Sequence, residues 1–285
     1  MATMLQHGRA LVPFGYYGGK SSHLGWLLPL LDIKCTHYVE PFGGSGSVLL
    51  SRTPAILETY NDIHSGVVNF FEVLRDNPDE LFRQVKYTPY SREEFDKYRY
   101  SNGKDAIDRA RLFFFGMMAS YQAMTGSTKM SWGYGVAGKR PVNKAVRMQE
   151  RIIRLEMVAE RLARVQIEND DALTVIKRYD SPDSLFYCDP PYLGEARSTQ
   201  KVDYAYLHEY TDEQHKELAA LLNTVEGAVA VSGYDSPLMR KLYPENVWEW
   251  HFAKSRRWGD VVKEPRTELL VRNKQAIAKH GAELL

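Results

Sequence analysis

The chain has 285 residues, 44% of them hydrophobic, with 37 lysines and arginines against 36 acids and a formal net charge of +1. That length buries a full core with room for a second small module, the composition excludes a disordered chain, and the near-neutral charge by itself points to no partner. Two cysteines in apolar runs, Cys35 and Cys188, lack a histidine at ligand spacing and predict reduced core thiols and no metal; with neither an export leader nor a spanning apolar run, a cytoplasmic protein without a membrane partner is expected.

The first motif, FGYYGGKSS at residues 14–22, invites a phosphate-loop reading. That loop, G-x-x-x-x-G-K-[ST], needs glycine at 14 and meets Phe14, and no strand precedes it. What remains is Gly18-Gly19, which lets backbone approach a ligand closely, with Tyr16 as a ring and Lys20 as a cation able to hold a carboxylate. Strand signals follow at Thr36–Val39 and Ala55–Tyr60. Between them VEPFGGSGS, residues 39–47, places a glycine-rich turn directly after a strand, the crevice where a doubly wound sheet binds nucleotide-like ligands. A dinucleotide fingerprint fails, because counting from Gly44 and Gly46 its third glycine would be Leu49. The acid that would hold a ribose is still present: Asp62 closes the second strand in Asn61-Asp62-Ile63, at about the 20-residue interval such a partner takes. An adenosine ligand without a diphosphate, such as S-adenosylmethionine, suits that pattern.

Residues 76–162 break the strand–helix alternation. They hold a tyrosine-rich polar run, an apolar helix expected over Ala106–Met124, a loop dense in glycine, serine and aromatics, and a basic helix. Between 129 and 154, Lys129, Lys139, Arg140, Lys144, Arg147, Arg151 and Arg154 face a single acid, Glu150, beside Trp132 and Tyr134. Such a stretch fits a solvated helix face, and equally a surface that tracks phosphates. Further strands are expected at Arg164–Ile167, Leu185–Cys188, Ala228–Val231 and Val247–Phe252, with a helix at Asp212–Asn223. The fold class is therefore α/β: a doubly wound, mixed and mainly parallel sheet carrying an inserted, mainly helical segment.

In FYCDPPY, residues 186–192, a buried strand meets a carboxylate and two prolines. Each proline fixes φ and removes an N–H, so the chain leaves the ladder as a rigid cluster of acceptors: the Asp189 carboxylate and fixed carbonyls, with the flat ring of Tyr192 beside them.

Together, FGYYGGK, VEPFGGSG with NDI, the middle insert, ENDDA and YCDPPY resemble the Dam-type DNA adenine-N6 methyltransferases whose cofactor motifs precede the recognition insert. The resemblance covers about 1–75 and 163–272 and implies a Rossmann-like class I methyltransferase core of residues 1–75 and 163–285, with 76–162 as the DNA target-recognition domain. It implies methyl transfer from S-adenosylmethionine to an adenine flipped out of double-stranded DNA. Tyr16 stands where the family usually has tryptophan, Lys20 matches its lysine, and Phe42, Gly44 and Gly46 match the cofactor loop that Glu40 opens. Asp62 with Ile63 matches the ribose or methionine acid, and Asp171 the acid near the cofactor adenine, with Asp170 as its neighbour and competitor. Asp189, Pro190, Pro191 and Tyr192 match the catalytic tetrapeptide. The Asp189 carboxylate and the Pro190 carbonyl are expected to accept the two N–H bonds of the adenine amine while Tyr192 stacks on the base.

The insert departs from the family's GATC-reading loop. Gln122, Lys129 and Trp132 are candidates to read or wedge a base pair, and Lys139, Arg140 and Lys144 to hold phosphates. A cognate restriction nuclease, a homodimer and a bacterial or phage origin are further expectations. The alternatives are methylation of cytosine-N4, where related enzymes more often carry serine in place of Asp189, methylation of RNA adenine, where asparagine is usual, and a catalytically idle DNA-binding relative.

Overall fold

The computed structural model describes residues 10–16, 18–120, 131–135, 143–192, 210–254 and 267–281. Its strands are β1 (His37–Glu40), β2 (Leu57–Asn61), β3 (Gln166–Glu168), β4 (Ser184–Cys188), β5 (Ala228–Tyr234), β6 (Glu249–Lys254) and β7 (Thr267–Arg272). They form one sheet in the order β3-β2-β1-β4-β5-β7-β6, parallel from β3 to β5, with β7 antiparallel to both of its neighbours. The six strands expected from sequence are all present, with bounds shifted by no more than three residues. β7 was not anticipated. Its sequence, TELLVR, carries Glu268 and Arg272 inside a strand that is buried almost throughout, and each charge is tolerated there because it has a partner.

Side-chain alternation along the strands divides the interior into two cores. Leu185, Tyr187, Ala228, Ala230 and Leu270 face one, and Phe186, Cys188, Val229, Val231, Leu269 and Val271 face the other. The first core is covered by α1 (Leu24–Leu30), α2 (Ser47–Ser51) and α3 (Ser65–Asp76). The middle segment adds α4 (Pro78–Lys86), α5 (Arg92–Tyr100), α6 (Ala106–Ala119) and α7 (Lys144–Leu162). The second core is covered by α8 (Ala172–Tyr179), α9 (Asp212–Leu222) and α10 (Pro237–Leu242); α11 (Lys274–Ala278) follows β7 and returns to the first. Among the described residues no helix is long and apolar enough to cross a membrane.

The middle helices extend the first core. Phe114 of α6 stacks on Phe70 of α3 with ring centroids 5.9 Å apart, and Phe14 meets Phe70 edge-on at 5.2 Å. The residue that spoils a phosphate loop is thus a fully buried anchor for the N-terminal segment. α6 ends earlier than Met124: at Ser120 the backbone turns extended and bridges Trp132 instead of continuing the helix, and residues 121–124 lie outside the described part.

α7 is tied to the sheet by a buried ion pair. Arg161 donates to both oxygens of Glu58 on β2, at 2.5 and 2.7 Å, and to the Leu49 carbonyl at 2.9 Å, with both charged side chains 1% exposed. Arg161→Met leaves Glu58 buried with Arg52, 3.5 Å away, as its remaining cation. A buried carboxylate stripped of its main partner typically costs about 3–5 kcal/mol, which urea denaturation should show; a loss under ~1 kcal/mol would mean that Arg52 replaces Arg161.

Candidate active site

The strand order reverses between β1 and β4, and the site lies at the C-terminal ends of those two strands, where such a sheet opens a crevice. β1 delivers Glu40 and the glycine turn. Gly43 donates to the Asn61 carbonyl at 2.8 Å, Gly44 donates to Asp62 Oδ2 at 2.8 Å, and the Tyr60 hydroxyl donates to the Gly44 carbonyl at 2.7 Å. Only glycine fits. A Cβ on Gly43 would lie 2.2 Å from the Tyr60 ring, and Gly44 has φ +51°. Asp62 Oδ1 also accepts the His64 N–H at 2.8 Å. The first task of this carboxylate is to pin the turn to the end of β2.

The turn forms one wall of a cavity of about 550 Å³. Of the residues expected to hold a cofactor, Tyr16, Gly18, Gly19, Lys20, Glu40, Phe42, Gly44, Asp62, Ile63, Asp171 and Asp189 all line it. Gly46 is the exception: with φ +63° it starts α2, and it packs toward Leu50 and Phe71. Pro190 and Pro191 reach the same cavity. Asp170 and Asp171 both do so, yet they differ in commitment. Asp170 accepts a 2.7 Å bond from Arg178, whereas Asp171 caps α8 through Oδ1 alone. Sequence reasoning passed over His64, Tyr210 and Gln214, which also line it. His64 Nδ1 accepts the N–H groups of Gly66 and Val67 at the start of α3, so its ring proton sits on Nε2.

Glu40 is 2% exposed and accepts a 2.6 Å bond from the Tyr38 hydroxyl. Burial pushes its carboxyl up to about 8, against the opposing pull of that bond and of Arg52.

At the end of β4 the acceptor cluster is drawn into a charged network. The Lys20 ammonium is 2.7 Å from both Asp189 oxygens, but its geometry makes a hydrogen bond only with Oδ2. Asp189 Oδ1 is buried and paired with the ammonium by charge alone, with no hydrogen-bond donor among the described residues. Lys20 also lies 3.5 Å from Glu268 and 4.7 Å from the centre of the Tyr192 ring. The Tyr192 hydroxyl donates to Glu268, and its ring meets Tyr234 edge-on at 4.5 Å. Burial pushes Asp189 above the ordinary carboxylate range, with Lys20 pulling against it. Burial alone would lower Lys20, but the charges of Asp189 and Glu268 hold it above its usual value. The carboxylates that Lys20 holds are therefore the protein's own. On the other side, Nε2 of the buried His215, on α9, lies 3.0 Å from the Pro191 carbonyl and must carry the proton, because the carbonyl can only accept.

Trp132 and Lys144 are the described members of the expected DNA-contacting set; Gln122, Lys129, Lys139 and Arg140 lie outside the described residues. Trp132 is committed to packing, with its ring 4.7 Å from Tyr90, 5.6 Å from Phe95 and 6.3 Å from Phe115. Lys144 opens α7, and burial lowers it below its ordinary value. With Arg147, Arg151 and Arg154 it lines a second cleft of about 640 Å³, whose other wall includes Gly15 and Ser21, neighbours of Tyr16 and Lys20.

Residues 16–257 match the family described as "D12 class N6 adenine-specific DNA methyltransferase". The chain belongs to that family. It is accordingly an adenine-specific DNA methyltransferase, and DNA is its substrate. It is 24% identical over 278 residues to the type II methyltransferase M1.LlaDCHI of Lactococcus lactis subsp. cremoris, covering 90% of this chain and 93% of that one. It is 26% identical over 220 residues to the DNA adenine methylase of Vibrio cholerae, covering 72% and 75% respectively. A third relative, the modification methylase LlaI of Lactococcus lactis subsp. lactis, is 24% identical, and the match takes in 92% of this chain but 43% of that protein.

Burial of Glu40 predicts a pH-dependent stability. Unfolded, its carboxyl ionises near 4.5; folded, near 8. Between those values the folded state holds the extra proton, so this group's contribution is fully present below the lower value and is lost as pH rises through the upper one. Glu40→Gln should flatten the fall in unfolding free energy across that window, as read by denaturant titrations at stepped pH. An unaltered slope would mean that Glu40 is ionised in the folded protein.

Proposed function

We propose that the chain binds S-adenosylmethionine in the 550 Å³ cavity and methylates N6 of an adenine turned out of duplex DNA onto Asp189, Pro190 and Tyr192. The observation that carries this reading is the buried Oδ1 of Asp189, which the Lys20 ammonium approaches to 2.7 Å but to which no group among the described residues donates a hydrogen bond. An unfilled buried acceptor is costly, and an exocyclic amine would fill it.

The lining suits the cofactor. Asp62 and Asp171 are carboxylates, and Glu40 a carboxyl that keeps its proton below about pH 8, for the amino and hydroxyl groups of an adenosyl amino acid, while Phe42, Ile63 and Tyr210 offer apolar walls to a purine. Ile63 is 48% exposed and has surface to be covered. When bound, S-adenosylmethionine would supply a methyl group activated on a sulfonium, whose sulfur departs as a neutral thioether when the methyl passes to nitrogen.

The rest is the protein's work. The amine lone pair is delocalised into the purine, so Asp189 Oδ1 and the Pro190 carbonyl each accept one of its N–H bonds and favour a more pyramidal nitrogen. The two prolines and the His215 contact to Pro191 keep those acceptors from relaxing, which is electrostatic preorganisation. Asp189, raised by burial, is placed to take the proton that the methylated amine must lose. For the base to reach the Tyr192 ring, the Lys20 ammonium, which lies over that ring, has to shift.

Residues 76–162 hold the duplex in this account, with the α7 cleft tracking phosphates beside the loop that carries Lys20. A single chain brings the cavity and the acceptors together.

Incubating the protein and cofactor with unmethylated genomic DNA, then mapping modified adenines by long-read sequencing, tests the reaction and reads out the target site. N6-methyladenine at one recurring sequence is expected; modified cytosine, or label entering RNA alone, would replace this reading. Neutralising Arg147 and Arg154 together should weaken DNA binding about equally for all sequences and make the slope of log affinity against log salt shallower by about two. An unchanged slope would assign the cleft to another ligand.

A further inference from the structure

We infer that Glu268 is a positioning residue for methyl transfer: by accepting the Tyr192 hydroxyl and sharing the Lys20 ammonium with Asp189, it sets both the stacking ring and the strength of the acceptor carboxylate. This inference rests on the adenine-methylation reading of the same site.

Glu268 lies on β7, 2% exposed, opposite Tyr234 of β5. Tyr234 packs edge-on against Tyr192, so β5 and β7 present one surface to the catalytic ring, with Glu268 reaching its hydroxyl. A buried carboxylate must be matched. The partners of Glu268 in the network are that hydroxyl and Lys20, 3.5 Å away. One ammonium therefore serves two carboxylates. Asp189 shares its cation, and among the described residues the network is left one negative charge in excess beside the place where the reaction puts positive charge on nitrogen. With Glu268 uncharged, the ammonium would belong to Asp189 alone, which would become a weaker acceptor of the amine protons and harder to free from Lys20.

Two roles are thereby separable. The hydroxyl bond orients the ring, and the charge tunes Asp189. Glu268→Gln keeps the size and an oxygen that can accept from Tyr192 while removing the charge. Glu268→Ala removes both.

The test is single-turnover methyl transfer to a duplex bearing the mapped site, across a pH series, with DNA and cofactor affinities measured separately. The Gln variant should melt close to wild type, bind DNA normally and transfer methyl about 10- to 100-fold more slowly, somewhat less than the loss of a directly contacting group. Its acid limb should also move to lower pH. Among the described residues the groups that face Asp189 are Lys20 from the N-terminal segment, Glu40 from β1, Tyr187 and Cys188 from β4, Tyr192 and Glu268; the charge of Glu268 raises Asp189, so its removal lowers the pH at which Asp189 ionises. The Ala variant should weaken DNA binding as well, because the ring loses its tether. A Gln variant with wild-type rate and an unmoved acid limb would reduce Glu268 to an anchor for β7.

Should neither variant fold, Tyr192→Phe provides the second measurement. It withdraws the hydroxyl and leaves both charges, so the rate and DNA affinity should fall while the acid limb moves to higher pH, opposite to the Gln variant, because the hydroxyl lowers Asp189; a wild-type rate would overturn the tether. A wild-type protein that methylates no DNA would defeat the underlying reading, and this inference with it, whereas an active wild type beside an unperturbed Gln variant defeats this inference alone.

Discussion

The site is organised around one buried ammonium facing two carboxylates. Lys20 is 4% exposed and lies within 2.7 Å of Asp189 and 3.5 Å of Glu268, contributed by an N-terminal loop, the end of β4 and β7 respectively. None of the three charges could be buried alone, since an unpaired ion in a protein interior either neutralises itself or destabilises the fold by several kcal/mol. Their mutual requirement is what closes the N-terminal loop over the sheet. Among the described residues the closure is incomplete by one acceptor: the arrangement fills Asp189 Oδ2 and leaves Oδ1 without a hydrogen-bond donor.

A second constraint is the glycine turn after β1. Asp62 Oδ2 and the Tyr60 hydroxyl grip it from β2, and the space against the Tyr60 ring admits no Cβ at Gly43. The grip sets one wall of the cavity that Asp189 also lines, so that wall and the acceptor are positioned by neighbouring parallel strands. Rigidity matters for a displacement that is largely a matter of alignment. The middle helices attach to the same frame, through stacked phenylalanines of α3 and α6 and through the Arg161–Glu58 pair.

Local covalent constraints are legible in a sequence. The prolines after Asp189 and the glycines after Glu40 are such constraints, which is why the two walls of the cavity and nearly all their residues can be named from the motifs. The strands were legible for the same reason, since alternation and turn residues are local. What escaped depends on tertiary pairing. β7 looks like a surface segment because it carries Glu268 and Arg272, and only partners elsewhere in the chain make those charges buriable: Lys20 and Tyr192 for one, Glu249 and the Leu30 carbonyl for the other. His215 reads as an ordinary helical histidine until α9 is seen to deliver it to the Pro191 carbonyl. Trp132, attractive as a base-pair wedge beside so many cations, proves to be held among Tyr90, Phe95 and Phe115, because an apolar helix face nearby has more to offer it than solvent.

The central claim is that Asp189 acts on the amine in the transition state and not merely as a cap on β4. The most direct measurement is the rate of methyl transfer in a single turnover by Asp189→Ala, at saturating DNA and cofactor and with both affinities determined independently. Transfer should fall by at least ~10²-fold while DNA binding persists. A rate within about threefold of wild type, far below the loss expected for a preorganised group at the reacting atom, would contradict the account.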